Sequence, residues 1–245
     1  MSIYTGVNNT AKKVSAIYAG VNGTARKIVR AYAGDANGVA KLVYSAGNWR
    51  DLYQQVEYIS GTGNQYINTE YIIKSNSAME VKFQMNSVTY TNGATFFGGR
   101  ENSSRFTIGI ASNRYGSLGV GDGYGITSAR MTTSSIYTFV IDSYNKRILI
   151  DGNYKAPYSG TYSNYTGTNT WLGILGCMVD GTLSTASVKC YSLKVKENDV
   201  LVHNYYPVYR KSDHAAGVFD VIDGVFYSNS GSGTITVGSD YEGEL

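Results

Sequence analysis

Residues 136–152 read IYTFVIDSYNKRILIDG, with apolar and polar positions alternating on both sides of a polar centre at 143–146. That alternation predicts a β-hairpin with one buried face. Tyr137, Phe139 and Ile141 fall on one face of the first strand, Ile148 and Ile150 on one face of the second, and Asp151-Gly152 supplies the turn that ends it. Residues 53–239 read as further strands laid against this pair. Candidates are 56–59, 66–69, 78–85, 95–98, 105–110, 118–120, 171–177, 187–195, 200–206, 217–221 and 234–237, with Gly61-Thr62-Gly63-Asn64 as a turn. No stretch of ten residues carries a helical period, so short strands separated by turns predict an all-β fold, a sandwich of antiparallel sheets.

A chain of 245 residues that is 42% hydrophobic can bury a sizeable core. Only 2 prolines and 16% charged residues argue against disorder, while 29 glycines and 23 tyrosines predict many turns and much aromatic surface. No run of 18 apolar residues exists, so no membrane span is expected, and the first residues lack the charged start and apolar block of a signal peptide. Two cysteines, Cys177 and Cys190, are too few for a disulfide framework or a zinc site; they are expected to be reduced, partly buried thiols, with a bridge across neighbouring strands as the alternative.

The net charge of +3 is unevenly distributed. Residues 1–50 hold seven basic side chains against one acid, Asp35, giving +6; the remaining 14 basic and 17 acidic residues give −3. The basic stretch repeats with a period of 14: Tyr4-Thr5-Gly6-Val7-Asn8-Asn9, Tyr18-Ala19-Gly20-Val21-Asn22-Gly23 and Tyr32-Ala33-Gly34-Asp35-Ala36-Asn37-Gly38. Asn-Asn and Asn-Gly between extended runs predict a short hairpin in each copy. Such a unit cannot enclose a core, so the repeats are expected to stack on one another, on the main domain or on another chain. The basic residues do not make a nucleic-acid reader, because the tyrosines stand beside turns and form no stacking platform; lysines on exposed strands also serve to block aggregation. The small, polar Ser45-Ala46-Gly47-Asn48 marks the expected boundary between a repeat region, 1–48, and a main domain, 49–245.

The order of EYISGTGNQYINT (57–69), FFGGR (96–100), the central hairpin, WLGIL (171–175) and the ending SLKVKENDVLVHNYYPVYRKSDHAAGVFDVIDGVFYSNSGSGTITVG (192–238) resembles the laminin G-like, or concanavalin A-like, jelly-roll family. The ending resembles that of such domains in bacteriophage tail proteins and in surface proteins of gut bacteria. YAGVNGTARKI (18–28) is similar to segments of phage tail and baseplate proteins. The resemblance implies a virion or extracellular-surface setting, other tail proteins as partners of residues 1–48, and a homo-oligomer, with trimers common among tail appendages. In the ending, Pro207, Arg210, Asp213, Gly217, Asp220, Gly224 and Phe226 match the pattern most closely, and a structural role is expected, with Arg210 reaching a nearby carboxylate such as Asp220 and Asp223-Gly224 turning between strands. The family also implies calcium at a rim, with Asp122 or Asp180 taking part; no other cofactor is expected.

Enzyme signatures fail. Glycoside hydrolases of this fold carry clustered carboxylates because one acid must protonate the leaving oxygen while another attacks or activates water, and no E-x-D-x-E spacing occurs. His203 and His214 lack a nucleophile motif, and Glu242 and Glu244 sit in a tail. Residues 119–125, GVGDGYG, read as a glycine-rich loop with one carboxylate, neither a calcium-binding hand nor a dinucleotide fingerprint.

The strongest binding signal lies in residues 153–170, NYKAPYSGTYSNYTGTNT, where 15 of 18 residues are Tyr, Ser, Thr, Asn or Gly and four are tyrosines. Rigid amphipathic rings beside small polar groups suit sugars, whose C–H faces pack on aromatics while their hydroxyls seek amides and hydroxyls. Tyr158, Tyr162 and Tyr165 are expected to form the aromatic side of a shallow site for a bacterial cell-surface glycan. Trp171 stands at its edge, and Tyr115, Asp122 and Tyr124 approach from 111–126. The competing readings are a structural virion subunit without glycan binding and a glycan hydrolase.

Overall fold

The computed structural model describes residues 49–243 in full and, before them, the backbone of six strands: β1 (Tyr4–Val7), β2 (Thr10–Lys13), β3 (Ile17–Val21), β4 (Thr24–Ile28), β5 (Arg30–Gly34) and β6 (Ala40–Ser45). The chain divides into two compact units, Met1–Leu52 and Tyr53–Leu245. In the first, β1 pairs with β2, β3 with β4 and β5 with β6, each antiparallel and each a separate two-stranded sheet, matching the expected hairpins. The expected turns at Asn8-Asn9, Asn22-Gly23 and 35–38, the boundary residues 46–48 and Glu244 lie outside the described residues.

The second unit continues with β7 (Tyr53–Gln55), β8 (Ile59–Thr62), β9 (Ile67–Ile72), β10 (Ser77–Met85), β11 (Ala94–Glu101), β12 (Ser104–Ile110), β13 (Tyr115–Gly121) and β14 (Gly123–Arg130). Then come β15 (Ile136–Asp142), β16 (Arg147–Ile150), β17 (Asn153–Tyr154), β18 (Trp171–Ile174), β19 (Gly176–Val179), β20 (Thr182–Thr185), β21 (Ser187–Glu197), β22 (Val200–Arg210), β23 (Ala216–Asp220), β24 (Val225–Ser228) and β25 (Thr236–Val237). They form two sheets, ordered β17-β16-β15-β10-β21-β22-β23-β24 and β14-β13-β12-β11-β18-β9. Strands β7, β8 and β25 flank the first sheet, and β19 and β20 flank the second. All ladders are antiparallel apart from one parallel bridge, Arg100 to Val179. This unit is an antiparallel β-sandwich.

The central hairpin forms as its alternation predicts. Phe139 stands opposite Ile150 and Ile141 opposite Ile148, and Asp151 and Gly152 take positive φ (48° and 81°) in the two-residue turn to β17. On its other side β15 sets Phe139 against Val81 and Ile141 against Met79, so one buried lane runs across three strands. Phe83 ties the sheets together: its ring lies 5.0 Å from Phe139 of its own sheet and 5.6 and 5.5 Å from Phe96 and Phe97 of the other. Tilted and edge-on pairs of this kind add about 0.5–1.5 kcal/mol each beyond burial.

Two expectations are corrected and a third is narrowed. Residues 119–125 are not a loop: β13 and β14 pair across Asp122, with Gly119 opposite Tyr124 and Val120 opposite Gly123, so glycines that signal a turn stand inside strands. Gly61 and Thr62 belong to β8, leaving Gly63 (φ 113°) and Asn64 to turn the chain. Arg210 does reach a nearby carboxylate, but it is Asp213 rather than Asp220: the two-pronged pair runs Nε to Oδ1 at 3.0 Å and Nη2 to Oδ2 at 2.6 Å and draws the Asp213 carboxyl down to about 2. The Asp223-Gly224 turn does join β23 and β24, closed by the Gly224 N–H donating to the Asp220 carbonyl at 2.6 Å.

Candidate functional site

At one edge of the sandwich, β14 ends its sheet and β17 ends the other. Residues 155–163 bridge the two. Tyr124 and Ser159 form an isolated antiparallel bridge, the Tyr124 N–H donating to the Ser159 carbonyl at 3.0 Å and the Tyr158 N–H to the Tyr124 carbonyl at 2.8 Å. This added strand sets Tyr158 beside Tyr124, ring centroids 5.7 Å apart, with Tyr158 65% exposed. The Arg105 guanidinium lies 5.7 Å from the Tyr124 ring and donates from Nη1 to the Asp122 carbonyl at 3.1 Å. It can lie flat because Gly119 has no side chain: a Cβ there would stand 2.6 Å from Arg105 Cβ and Cδ. Asp122 exchanges two bonds with Ser163, its N–H donating to Oγ and its Oδ2 accepting from Oγ, both at 3.0 Å. Asp122, Tyr124 and Tyr158 are therefore brought together, with Arg105 and Ser163 as neighbours.

Three residues further along β14 a groove of about 560 Å³ opens between the sheet edges. Thr127, Ser128 and Arg130 line one wall, Ile150, Asn153 and Tyr154 the other, with Tyr137 and Lys155 also facing in. Tyr154 is 62% exposed, an aromatic face offered to solvent. Two cations, Arg130 and Lys155, stand against one carboxylate, Asp151, whose Oδ1 already accepts the Thr138 N–H at 2.8 Å. Lys155 Nζ reaches Ser128 Oγ at 3.3 Å across the groove. Sequence reasoning marked 153–155 only as the start of the tyrosine-rich run and missed Arg130, Tyr137 and Ser128, whose proximity depends on strands from both sheets meeting at this edge.

Four expected site residues stand elsewhere. Tyr165 is fully buried and Tyr162 is 5% exposed, so neither ring can face a ligand, and the expectation for both is corrected. The cause is the glycine pattern of β14: Gly123 and Gly125 stand opposite the buried Val120 and Leu118, and the space their missing side chains leave is filled from 161–163. A Cβ on Gly125 would lie 2.6 Å from the Tyr162 hydroxyl, which donates instead to the Lys155 carbonyl at 2.9 Å. Burial pushes the Tyr162 phenol up to about 12. Tyr165 packs edge-on to Phe106 at 6.3 Å, its N–H donating to Ser143 Oγ at 2.6 Å. Trp171 stacks on Tyr66 at 5.7 Å, and four strand spacings, about 19 Å, separate its strand from β14. Tyr115 starts β13, four residues or about 13 Å of strand from Gly119 opposite Tyr124, but it stands directly opposite Arg130 of the groove wall without lining the groove itself.

The far end of the same segment is tied down by Glu101, whose Oε2 accepts the Thr168 and Asn169 N–H groups at 2.9 Å each and the Thr170 hydroxyl at 3.1 Å. The Asn169 amide leads in holding that carboxyl below its usual range. The two residues expected at a calcium rim each have a partner in the fold, Asp122 Oδ2 accepting from Ser163 Oγ at 3.0 Å. Asp180 Oδ2 is paired with Arg100 Nε at 3.1 Å, and Asp122 follows β13 while Asp180 follows β19, three strand spacings or about 14 Å apart.

Compared with known proteins, the chain matches no family model and no curated sequence. Its class is given by its own geometry: an antiparallel β-sandwich whose open edge carries an aromatic, cation-lined groove.

Proposed function

We propose that the chain is a non-catalytic carbohydrate-binding module of the concanavalin A-like kind, serving a phage tail or a similar cell-surface-binding protein in recognition of a bacterial host glycan. The observation that carries this reading is the groove between the sheet edges, where the exposed ring of Tyr154 and the hydroxyl of Ser128 face one space, with the Tyr124–Tyr158 pair about 10 Å further back along β14. Rings take the C–H face of a pyranose, and hydroxyls and amides take its hydroxyl groups. The excess of Arg130 and Lys155 over the engaged Asp151 favours glycans bearing phosphate or carboxylate groups. An open site of this kind binds weakly, so several copies in one particle supply the avidity.

Binding of the intact chain to an array of host cell-wall glycans, repeated with Tyr154→Ala, Tyr158→Ala and Lys155→Ala, tests the reading. Each aromatic loss should weaken binding about five- to tenfold, the equivalent of about 1 kcal/mol. Lys155→Ala should weaken acidic glycans more than neutral ones. A wild type that binds no glycan, or variants that all bind as tightly as it does, would leave the structural virion subunit as the better reading.

A further inference from the structure

We propose that His203, Asp220 and Asp223 form a site for one divalent transition-metal ion of the zinc class, independent of the groove. His203 stands on β22, Asp220 ends β23, and Asp223 lies in the turn to β24. Among the described residues this is the one grouping of three metal-capable side chains, with all ligand atoms within 4.8 Å of one another. His203 Nδ1 is 2.6 Å from Asp220 Oδ2 and 3.5 Å from Asp223 Oδ2. Zinc bonds to imidazole nitrogen and carboxylate oxygen run about 2.0–2.2 Å, which puts neighbouring donors of a tetrahedral ion roughly 3.3 Å apart. The second pair already has that spacing, and the first reaches it by opening less than about 1 Å.

The surroundings hold these donors in advance. Asp220 is fully buried, and its other oxygen, Oδ1, accepts the backbone N–H groups of Asn204 at 3.1 Å and Ile222 at 3.0 Å, which leaves Oδ2 directed at the histidine. Locking one carboxylate oxygen from behind is how outer-shell hydrogen bonds orient a ligand. The imidazole is gripped on two sides, stacked on Tyr205 (5.7 Å, 15°) and edge-on to Tyr71 (4.9 Å, 67°). The Asp223 side chain is 48% exposed, against 15% for His203, so the cluster runs from a closed interior to solvent, where an ion enters and water completes its shell. One nitrogen with two carboxylate oxygens is a donor set of zinc and its first-row neighbours, and too few oxygens for calcium. A bound ion would clamp β22 to the β23–β24 turn.

Titration of the full-length, metal-stripped chain with Zn²⁺ by calorimetry, and with Co²⁺ by its visible absorption, tests the site. The expected result is one equivalent bound with a concentration-dependent rise in Tm, as for any ligand of the folded state alone. Asp223→Asn, at an exposed position, should keep the fold and weaken binding at least about tenfold, while His203→Ala should abolish it. His214→Ala and Asp180→Asn should bind as the wild type. A wild type that takes up neither ion overturns the proposal. So does an Asp223→Asn variant of undiminished affinity, which stays decisive if His203→Ala fails to fold, or a loss of binding in His214→Ala.

Discussion

Tyr158 and Tyr165 lie seven residues apart in one polar segment, yet one ring is 65% exposed and the other is completely buried. Removing the buried ring deletes its packing on Phe106 and opens a cavity, so Tyr165→Ala is expected to cost about 3–5 kcal/mol, the range for large aromatic truncations. Tyr158→Ala should stay within about 0.5 kcal/mol. Urea unfolding of the two variants beside the wild type checks the contrast; equal small losses would mean that the Tyr165 ring does not belong to the core. The cysteines follow the same logic. Cys177 and Cys190 are free and buried, and desolvation pushes both thiols far up, so neither supplies thiolate. An alkylating reagent at neutral pH should leave the native chain unlabelled and modify both in denaturant. At this scale the sequence was legible for the reduced cysteines and for the proximity of Asp122, Tyr124 and Tyr158. It was not for Tyr162 and Tyr165, because a composition of Tyr, Ser, Thr, Asn and Gly says nothing about the direction in which each ring points.

Two hairpins show what period-2 reasoning can and cannot reach. In β15–β16 the inward positions are large and apolar, so alternation alone reveals the strands. In β13–β14 much of the alternation is glycine, which carries no hydropathy and reads as a turn. The buried face of that hairpin is completed by a segment some forty residues later, through Ser163 on Asp122 and Tyr162 beneath Gly125. A test follows at Gly123, where a Cβ would stand 2.7 Å from the Thr161 carbonyl carbon and the Tyr162 nitrogen, backbone atoms that cannot swing aside. Gly123→Val should lift residues 155–163 off β14 and destabilise the chain by about 1–3 kcal/mol. In hydrogen exchange the Tyr124 and Tyr158 amides, which bridge the two segments, should lose protection before those of β10 and β21. Unchanged protection at both amides would mean that the segment is held from its other end, by Glu101.

For the whole chain, strand content and turn spacing were enough to read an antiparallel sandwich. The strand order was not legible: β10 pairs with β15 and β21, partners more than fifty residues away, and nothing local encodes that choice. Tyrosine burial in the sandwich sets a limit on the alkaline side. Desolvation pushes Tyr162 and Tyr227 from 10.0 to about 12, and Tyr71 and Tyr205 are raised further. A raised folded-state pKa contributes stability that is fully present below pH 10 and is lost as pH climbs through 12. Unfolding followed by circular dichroism should therefore set in between pH 10 and 12 together with the rise in tyrosinate absorbance. Ionisation of every tyrosine with a midpoint near pH 10 and the fold intact would contradict this burial. Among the described strands, each of the three amino-terminal hairpins pairs within itself, and an isolated two-stranded hairpin is marginal in water, so each needs a surface to lie on. We propose that residues 1–48 supply self-association or docking to a tail, with a trimer as the expected state. Linking weak grooves in this way gains roughly two to four orders of magnitude in avidity, which joins the assembly reading to the glycan reading. Light scattering of the full chain beside a shortened chain beginning at Asn48 decides it. The full chain should show a multiple of its 26.6 kDa mass and hold to host cells far more tightly than the shortened chain, which should be monomeric and keep its single-site glycan affinity. Equal monomeric masses, with docking to particles undiminished in the shortened chain, would remove the hairpins from assembly altogether.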